Sequence, residues 1–118
     1  MAGRVTTHVL DTARGKPASG VKISLFRVAD GLHHLLGQTT TNADGRTDAP
    51  MLAGEALTVG VYELVFSAGD YLRASGQATG DVLFLDEISI RFGIPDAEAH
   101  YHVPLLISPF AYSTYRGS

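Results

Sequence analysis

His100-Tyr101-His102-Val103-Pro104-Leu105-Leu106-Ile107 reads as a β-strand with two unlike faces. Alternate side chains of an extended chain point to opposite sides, so Tyr101, Val103, Leu105 and Ile107 share one face. His100, His102, Pro104 and Leu106 share the other. The first set is a core face. The second is expected to be exposed in a single copy, yet it carries Pro104 and Leu106 beside two imidazoles. A half-apolar exposed face of this kind marks a subunit contact or a binding groove.

The same period of two recurs outward from this stretch. Thr7 to Leu10 is a candidate first strand, followed by the turn-rich Asp11 to Gly20. Val21, Ile23 and Leu25 alternate with Lys22, Ser24 and Phe26, as in a half-buried strand. Asp30-Gly31 closes a hairpin into Leu35 to Thr41, and Asn42-Ala43-Asp44-Gly45 supplies the next turn. Leu57 to Ser67 is the strongest strand pattern, with Val59, Val61, Leu64, Val65 and Phe66. Gly69 to Ser75 is the only stretch that predicts a helix; Val82 to Ile90 and Phe110 to Arg116 read as further strands. About seven or eight strands with one short helix predict an all-β sandwich. No linker, repeat or low-complexity tract divides the sequence, so residues 1–118 are expected to form one domain.

Composition narrows the function. Of 118 residues, 45% are hydrophobic and 18% charged, and a net charge of −3 is scattered along the chain, which argues against a nucleic-acid or anionic-membrane partner. The absence of cysteine excludes disulfides, thiolate nucleophiles and cysteine zinc sites. No run approaches the roughly 18 apolar residues of a membrane helix. Met1 to Leu10 lacks the pattern of a secretory signal, and Arg116-Gly117-Ser118 is not a peroxisomal address. A cytoplasmic protein is the expectation.

Five histidines, at 8, 33, 34, 100 and 102, are candidates for acid–base work because imidazole titrates near neutral pH. His33 and His34 follow the Asp30-Gly31 turn and read as surface or packing residues. His100 and His102 point the same way and invite a zinc reading, with His8 as a third ligand if the strands are neighbours. Two nitrogens are too few for a typical site, so no metal is expected. Asp86 and Glu87 are adjacent on a strand and face opposite ways, which argues against a shared-proton pair. Tyr71 reads as a core or helix-docking residue, and Arg14, Arg73 and Arg91 as solvated. The residues alone support a β-sandwich with a histidine site.

Two longer stretches carry a resemblance. Thr7-His8-Val9-Leu10-Asp11-Thr12 with Gly15-Lys16-Pro17-Ala18 is similar to the opening motif of the transthyretin family. Tyr101 through Ser118 (YHVPLLISPFAYSTYRGS) is similar to its closing motif, and Thr41-Asn42-Ala43-Asp44-Gly45-Arg46 fits its central turn. The likeness spans essentially the whole chain. The tail Tyr115-Arg116-Gly117-Ser118 resembles the family's 5-hydroxyisourate hydrolase branch, which differs in this tail and in its histidines from the thyroid-hormone carriers. Ile107 stands where leucine is expected, a swap of similar volume on the core face.

The resemblance implies two four-stranded sheets and one short helix, assembled as a homotetramer, a dimer of dimers with a channel between the dimers. It implies that His102, Pro104 and Leu106 line that channel beside His8 and Leu10. It also implies hydrolysis of 5-hydroxyisourate to 2-oxo-4-hydroxy-4-carboxy-5-ureidoimidazoline, with no cofactor. His8 and His102 would activate water and move protons, and Arg46 would orient substrate and stabilise charge. Tyr115 and Ser118 would hold substrate or water, with Arg116 shaping the wall. The competing readings are a transthyretin-like carrier using the channel for a small ligand, and a structural interaction domain. The expected polar lining weighs against both.

Overall fold

A computed structural model describes residues 3–118. The chain runs β1 (Arg4–Asp11), β2 (Lys16–Pro17), β3 (Lys22–Ala29), β4 (Leu32–Thr40), β5 (Leu52–Ala53), β6 (Gly60–Ser67), α1 (Ala68–Ala74), β7 (Glu87–Ile94), β8 (His100–Ile107) and β9 (Tyr112–Thr114). One sheet follows the order β2-β1-β8-β9, and the other β4-β3-β6-β7. These are the two expected layers. The first gains a fifth member because the two-residue β5 pairs with the start of β1. The chain's two ends meet in β1 and β8, which run parallel from Arg4↔His100 to Asp11↔Ile107.

Alternation places the core between the layers. Val5 and Val9 of β1, Ile23 and Leu25 of β3, Leu64 and Phe66 of β6, and Leu105 and Ile107 of β8 are completely buried. Each such side chain contributes about 1.5–3 kcal/mol by leaving water. The Asp30-Gly31 hairpin forms as the sequence predicts. Both residues take positive φ (55° and 73°), the left-handed pair that matches the twist of two joined strands.

Among the described residues one carboxylate is also buried. Asp11, at the end of β1, is 1% exposed and accepts hydrogen bonds from the Tyr71 hydroxyl (2.6 Å), Gln77 Nε2 (2.8 Å) and the Arg14 backbone N–H (2.9 Å). Burial pushes its carboxyl up, but these bonds and the Arg14 charge outweigh burial and hold it below its ordinary 3.8. Burial and the bond to Asp11 push the Tyr71 hydroxyl up to about 12. Tyr71 is therefore the helix-docking residue, and it ties α1 to β1.

Several expectations are corrected. Val82 to Asp86 is irregular, with Val82 and Phe84 exposed, and β7 begins at Glu87. The Asp86 carbonyl accepts the Gly69 N–H at 2.9 Å, and a Cβ on Gly69 would lie 2.3 Å from the Asp86 carboxylate. This segment is pinned across the start of α1 and is not free to pair as a strand. The strongest pattern also forms a strand only from Gly60, leaving Val59 exposed. The last strand shrinks to Tyr112–Thr114.

Pro104 is buried, contrary to expectation. It sits opposite His8 of β1, and its carbonyl accepts the Thr114 hydroxyl at 2.7 Å. Leu106 is half-buried. Arg91 and Arg73 are partnered: Arg91 Nε donates to Glu63 (3.0 Å), its cross-strand neighbour, and Arg73 donates to the Gly80 and Asp81 carbonyls.

Candidate active site

Parallel pairing of β1 with β8 puts Thr6 opposite His102 and His8 opposite Pro104. Because Val5, Thr7 and Val9 turn inward, Thr6 and His8 lie on the outer face, with His100 and His102 beside them. The Thr6 hydroxyl oxygen is 2.6 Å from His100 Nε2 and 2.8 Å from His102 Nδ1. The rings stand 6.1 Å apart, tilted by 49°. With Nδ1 of His102 engaged, Nε2 is the nitrogen left for water or substrate.

Arg46 reaches this face through the central turn. Asn42 Oδ1 accepts the backbone N–H groups of Asp44 (2.9 Å) and Arg46 (3.2 Å), closing the loop on itself. Gly45 has φ +75°, and a Cβ there would lie 2.4 Å from the Val9 carbonyl oxygen. Only glycine lets the turn approach β1 so closely, and its carbonyl accepts the Val9 N–H at 2.8 Å. His8 and Arg46 form a bridge, and His8 Nε2–H donates to the Asp44 carbonyl at 2.8 Å. His8 thus fastens the turn that carries Arg46. Among the described residues the Arg46 guanidinium has no hydrogen-bond partner.

The tail closes the other side. Gly117 bridges to His102, its N–H donating to the His102 carbonyl at 2.8 Å. A Cβ on Gly117 would stand 2.5 Å from His102 Cδ2, so the bare backbone lies against the imidazole. Arg116 stacks over the Tyr101 ring at 4.6 Å and donates to the His100 carbonyl at 3.3 Å.

These elements enclose an open cleft of about 380 Å³ lined by Arg4, Thr6, Arg46, His100, His102 and Ser118, with residues 47–50 along one wall. Of the residues named from sequence, Arg46, His102 and Ser118 converge here. His8 stands outside the lining, two residues along β1 from Thr6 on the same outer face. Tyr115 and Arg116 border a second groove, of about 430 Å³, beside Phe92, Tyr101 and Val103. Among the described residues no group of three or more His, Asp or Glu side chains is placed to hold a metal ion.

The fields in the cleft favour neutral imidazoles. Burial, then the charges of Arg46, His100 and His8, hold His102 below its ordinary 6.5. Burial, Arg4 and Arg116 do the same to His100. A neutral imidazole with a free nitrogen is a ready proton acceptor, and an unpaired guanidinium beside it stabilises negative charge as it forms. The arrangement suits addition of water to a carbonyl.

Sequence reading overlooked Thr6, and it placed His100 on the outer face as an acid–base or metal candidate without giving it a part in the site. The period of two from His8 was the available signal for Thr6, and a hydroxyl carries no charge to draw notice.

The sequence profile of the HIUase/Transthyretin family matches residues 5–117. The chain belongs to that family. A 5-hydroxyisourate hydrolase 2 of Rhizobium meliloti is 56% identical over 99% of this chain and 98% of its own length. Among solved structures, an (S)-allantoin synthase is 47% identical with a TM-score of 0.93; the match covers 99% of this chain and 44% of that larger one. Sea bream transthyretin in complex with thyroxine is 26% identical with a TM-score of 0.85, over 97% of this chain and 94% of that one. HIUase/Transthyretin membership accounts for the two sheets and the short helix.

Proposed function

We propose that this chain hydrolyses 5-hydroxyisourate in urate catabolism, opening its ring at an amide carbonyl to give 2-oxo-4-hydroxy-4-carboxy-5-ureidoimidazoline. The observation that carries the reading is the convergence of Arg46, His102 and Ser118, distant in sequence, on one polar cleft. The 56% identity to a hydrolase, against 26% to a thyroxine-binding transthyretin, favours hydrolysis over carriage.

His102 Nε2 takes a proton from the attacking water and returns it to the leaving nitrogen. Arg46 matches the flat array of carbonyls and ring nitrogens with its planar fork and stabilises the developing oxyanion. Ser118 holds substrate or water by a hydrogen bond. His8 fastens the Arg46 turn and assists the proton transfer. Tyr115 and Arg116 border the neighbouring groove, and their part in binding is to hold the tail that presents Ser118 to the substrate. The chemistry requires neither a metal nor an organic cofactor.

The working unit is a homotetramer, a dimer of dimers, with the cleft opening on the channel between dimers. Support comes from β7 and β9, which end their sheets and leave an edge open to pairing with another copy. Residues 1–118 act as one domain in the cytoplasm, where a cysteine-free sequence is at home. The test is spectroscopic: urate oxidase generates 5-hydroxyisourate, and its ultraviolet decay is followed with and without this protein. Faster decay is expected, and decay at the spontaneous rate overturns the proposal.

A further inference from the structure

The Thr6 hydroxyl holds one proton and stands between two imidazole nitrogens, His100 Nε2 at 2.6 Å and His102 Nδ1 at 2.8 Å. It has no other hydrogen-bond partner among the described residues. Its proton is used only when it donates to one ring and accepts from the other. Two neutral states satisfy this. If His102 Nδ1–H donates to Thr6 and Thr6 donates to His100 Nε2, both rings carry their proton on Nδ1. If the chain of bonds runs the other way, both carry it on Nε2. The two tautomers are tied together through one oxygen.

The direction follows from the charge that shares the cleft with His102. The Arg46 guanidinium lines the same cleft, and a lone pair toward a cation is favoured over an N–H. Packing adds to this, because Gly117 lies against the ring and its N–H holds the His102 carbonyl, so the imidazole is fixed with Nδ1 toward Thr6. We propose that Thr6 is the positioning residue of the site, holding His102 in the Nδ1–H tautomer with a bare Nε2 turned to the cleft, and that His100 serves as the acceptor that fixes the direction of Thr6. The catalytic consequence rests on the hydrolase reading. The tautomer does not.

The cost of losing the array is selective. A free neutral imidazole prefers the Nε2–H form, so His102 without Thr6 spends most of its time with a proton where the lone pair is needed. Substrate contacts to Arg46 and Ser118 stay in place, so kcat falls while KM holds.

The experiment is ¹⁵N NMR of the ring nitrogens in full-length protein, with kinetics on the same samples. In the unmodified protein, His100 and His102 are expected as Nδ1–H tautomers at neutral pH. Thr6→Val, which keeps the shape and removes the hydroxyl, shifts His102 to the Nε2–H form and lowers kcat at least about tenfold, with KM within about twofold. Thr6→Ser restores both readouts. His100→Ala frees the Thr6 proton to turn onto His102 Nδ1, producing the same tautomer shift without touching His102. A merely structural threonine would not make His100→Ala move the proton on His102. An Nε2–H His102 in the unmodified protein, or an unchanged tautomer in Thr6→Val, overturns the proposal. Wild-type protein that shows the Nδ1–H pair yet does not speed 5-hydroxyisourate decay supports the array and removes the hydrolase reading.

Discussion

Replacing Gly117 by alanine isolates the contact between the tail and the His102 ring. Gly117 does not take positive φ, so alanine is permitted by the backbone and any effect is one of space. The new methyl would stand 2.5 Å from His102 Cδ2, 3.2 Å from Cγ and 3.4 Å from Cβ. Carbon atoms pack at about 3.5–4.0 Å, so roughly 1 Å of overlap must be relieved. Either the tail lifts and stretches its 2.8 Å bond to the His102 carbonyl, or the ring rotates away from Thr6. Losing one neutral hydrogen bond costs about 1 kcal/mol, which for a domain of this size lowers Tm by about 4 °C. Displacing a reacting group by about 1 Å costs on the order of a hundredfold in rate. Gly117→Ala is therefore expected to fold and to lose about a hundredfold in kcat/KM, read from the ultraviolet decay of freshly generated 5-hydroxyisourate. Activity within about threefold of the parent would refute the claim that the tail positions His102. A Tm drop far beyond a few degrees would show that the loss comes from folding.

Arg46→Lys keeps the charge but loses the planar fork, and kcat/KM is expected to fall about a hundredfold in the same assay. His102 must be unprotonated to act, and its pKa lies below 6.5, so the acid limb of kcat/KM should have its midpoint below that value; a midpoint at or above it contradicts the assignment. Tyr71→Phe leaves Asp11 one hydrogen bond short inside the fold and should cost about 1–2 kcal/mol in urea unfolding, with activity largely kept. The Asp11 carboxyl is lower in the folded state than its ordinary 3.8, so its stabilisation is present above that pH and is lost as the pH falls through the folded value. Asp11→Asn should flatten that acid dependence of unfolding.

Period two carried much of this reading, and its failures have physical causes. It separated Tyr101, Val103, Leu105 and Ile107 from the two imidazoles correctly. It exposed Pro104 wrongly, because burial there comes from β1 on one side and from Thr114 folding back on the other, and neither is visible in an isolated strand. The residues 82–86 have strand-forming side chains, yet anchorage at Asp86 across the helix start overrides local preference. The ion pair of Glu63 with Arg91 depends on the register of β6 with β7, which no local pattern fixes. At the site, Arg46 and Ser118 rested on the family resemblance. The reason for Gly117 emerged only once the backbone was seen against the imidazole.

The proposed chemistry requires His102 and Arg46 together on a ring amide in one cleft. Its most direct test compares the parent protein with His102→Asn and Arg46→Ala in a single ultraviolet experiment on 5-hydroxyisourate made in place by urate oxidase. The parent should speed the decay, and each variant should fall by about a hundredfold or more. Variants that keep pace with the parent would place the chemistry elsewhere in the molecule.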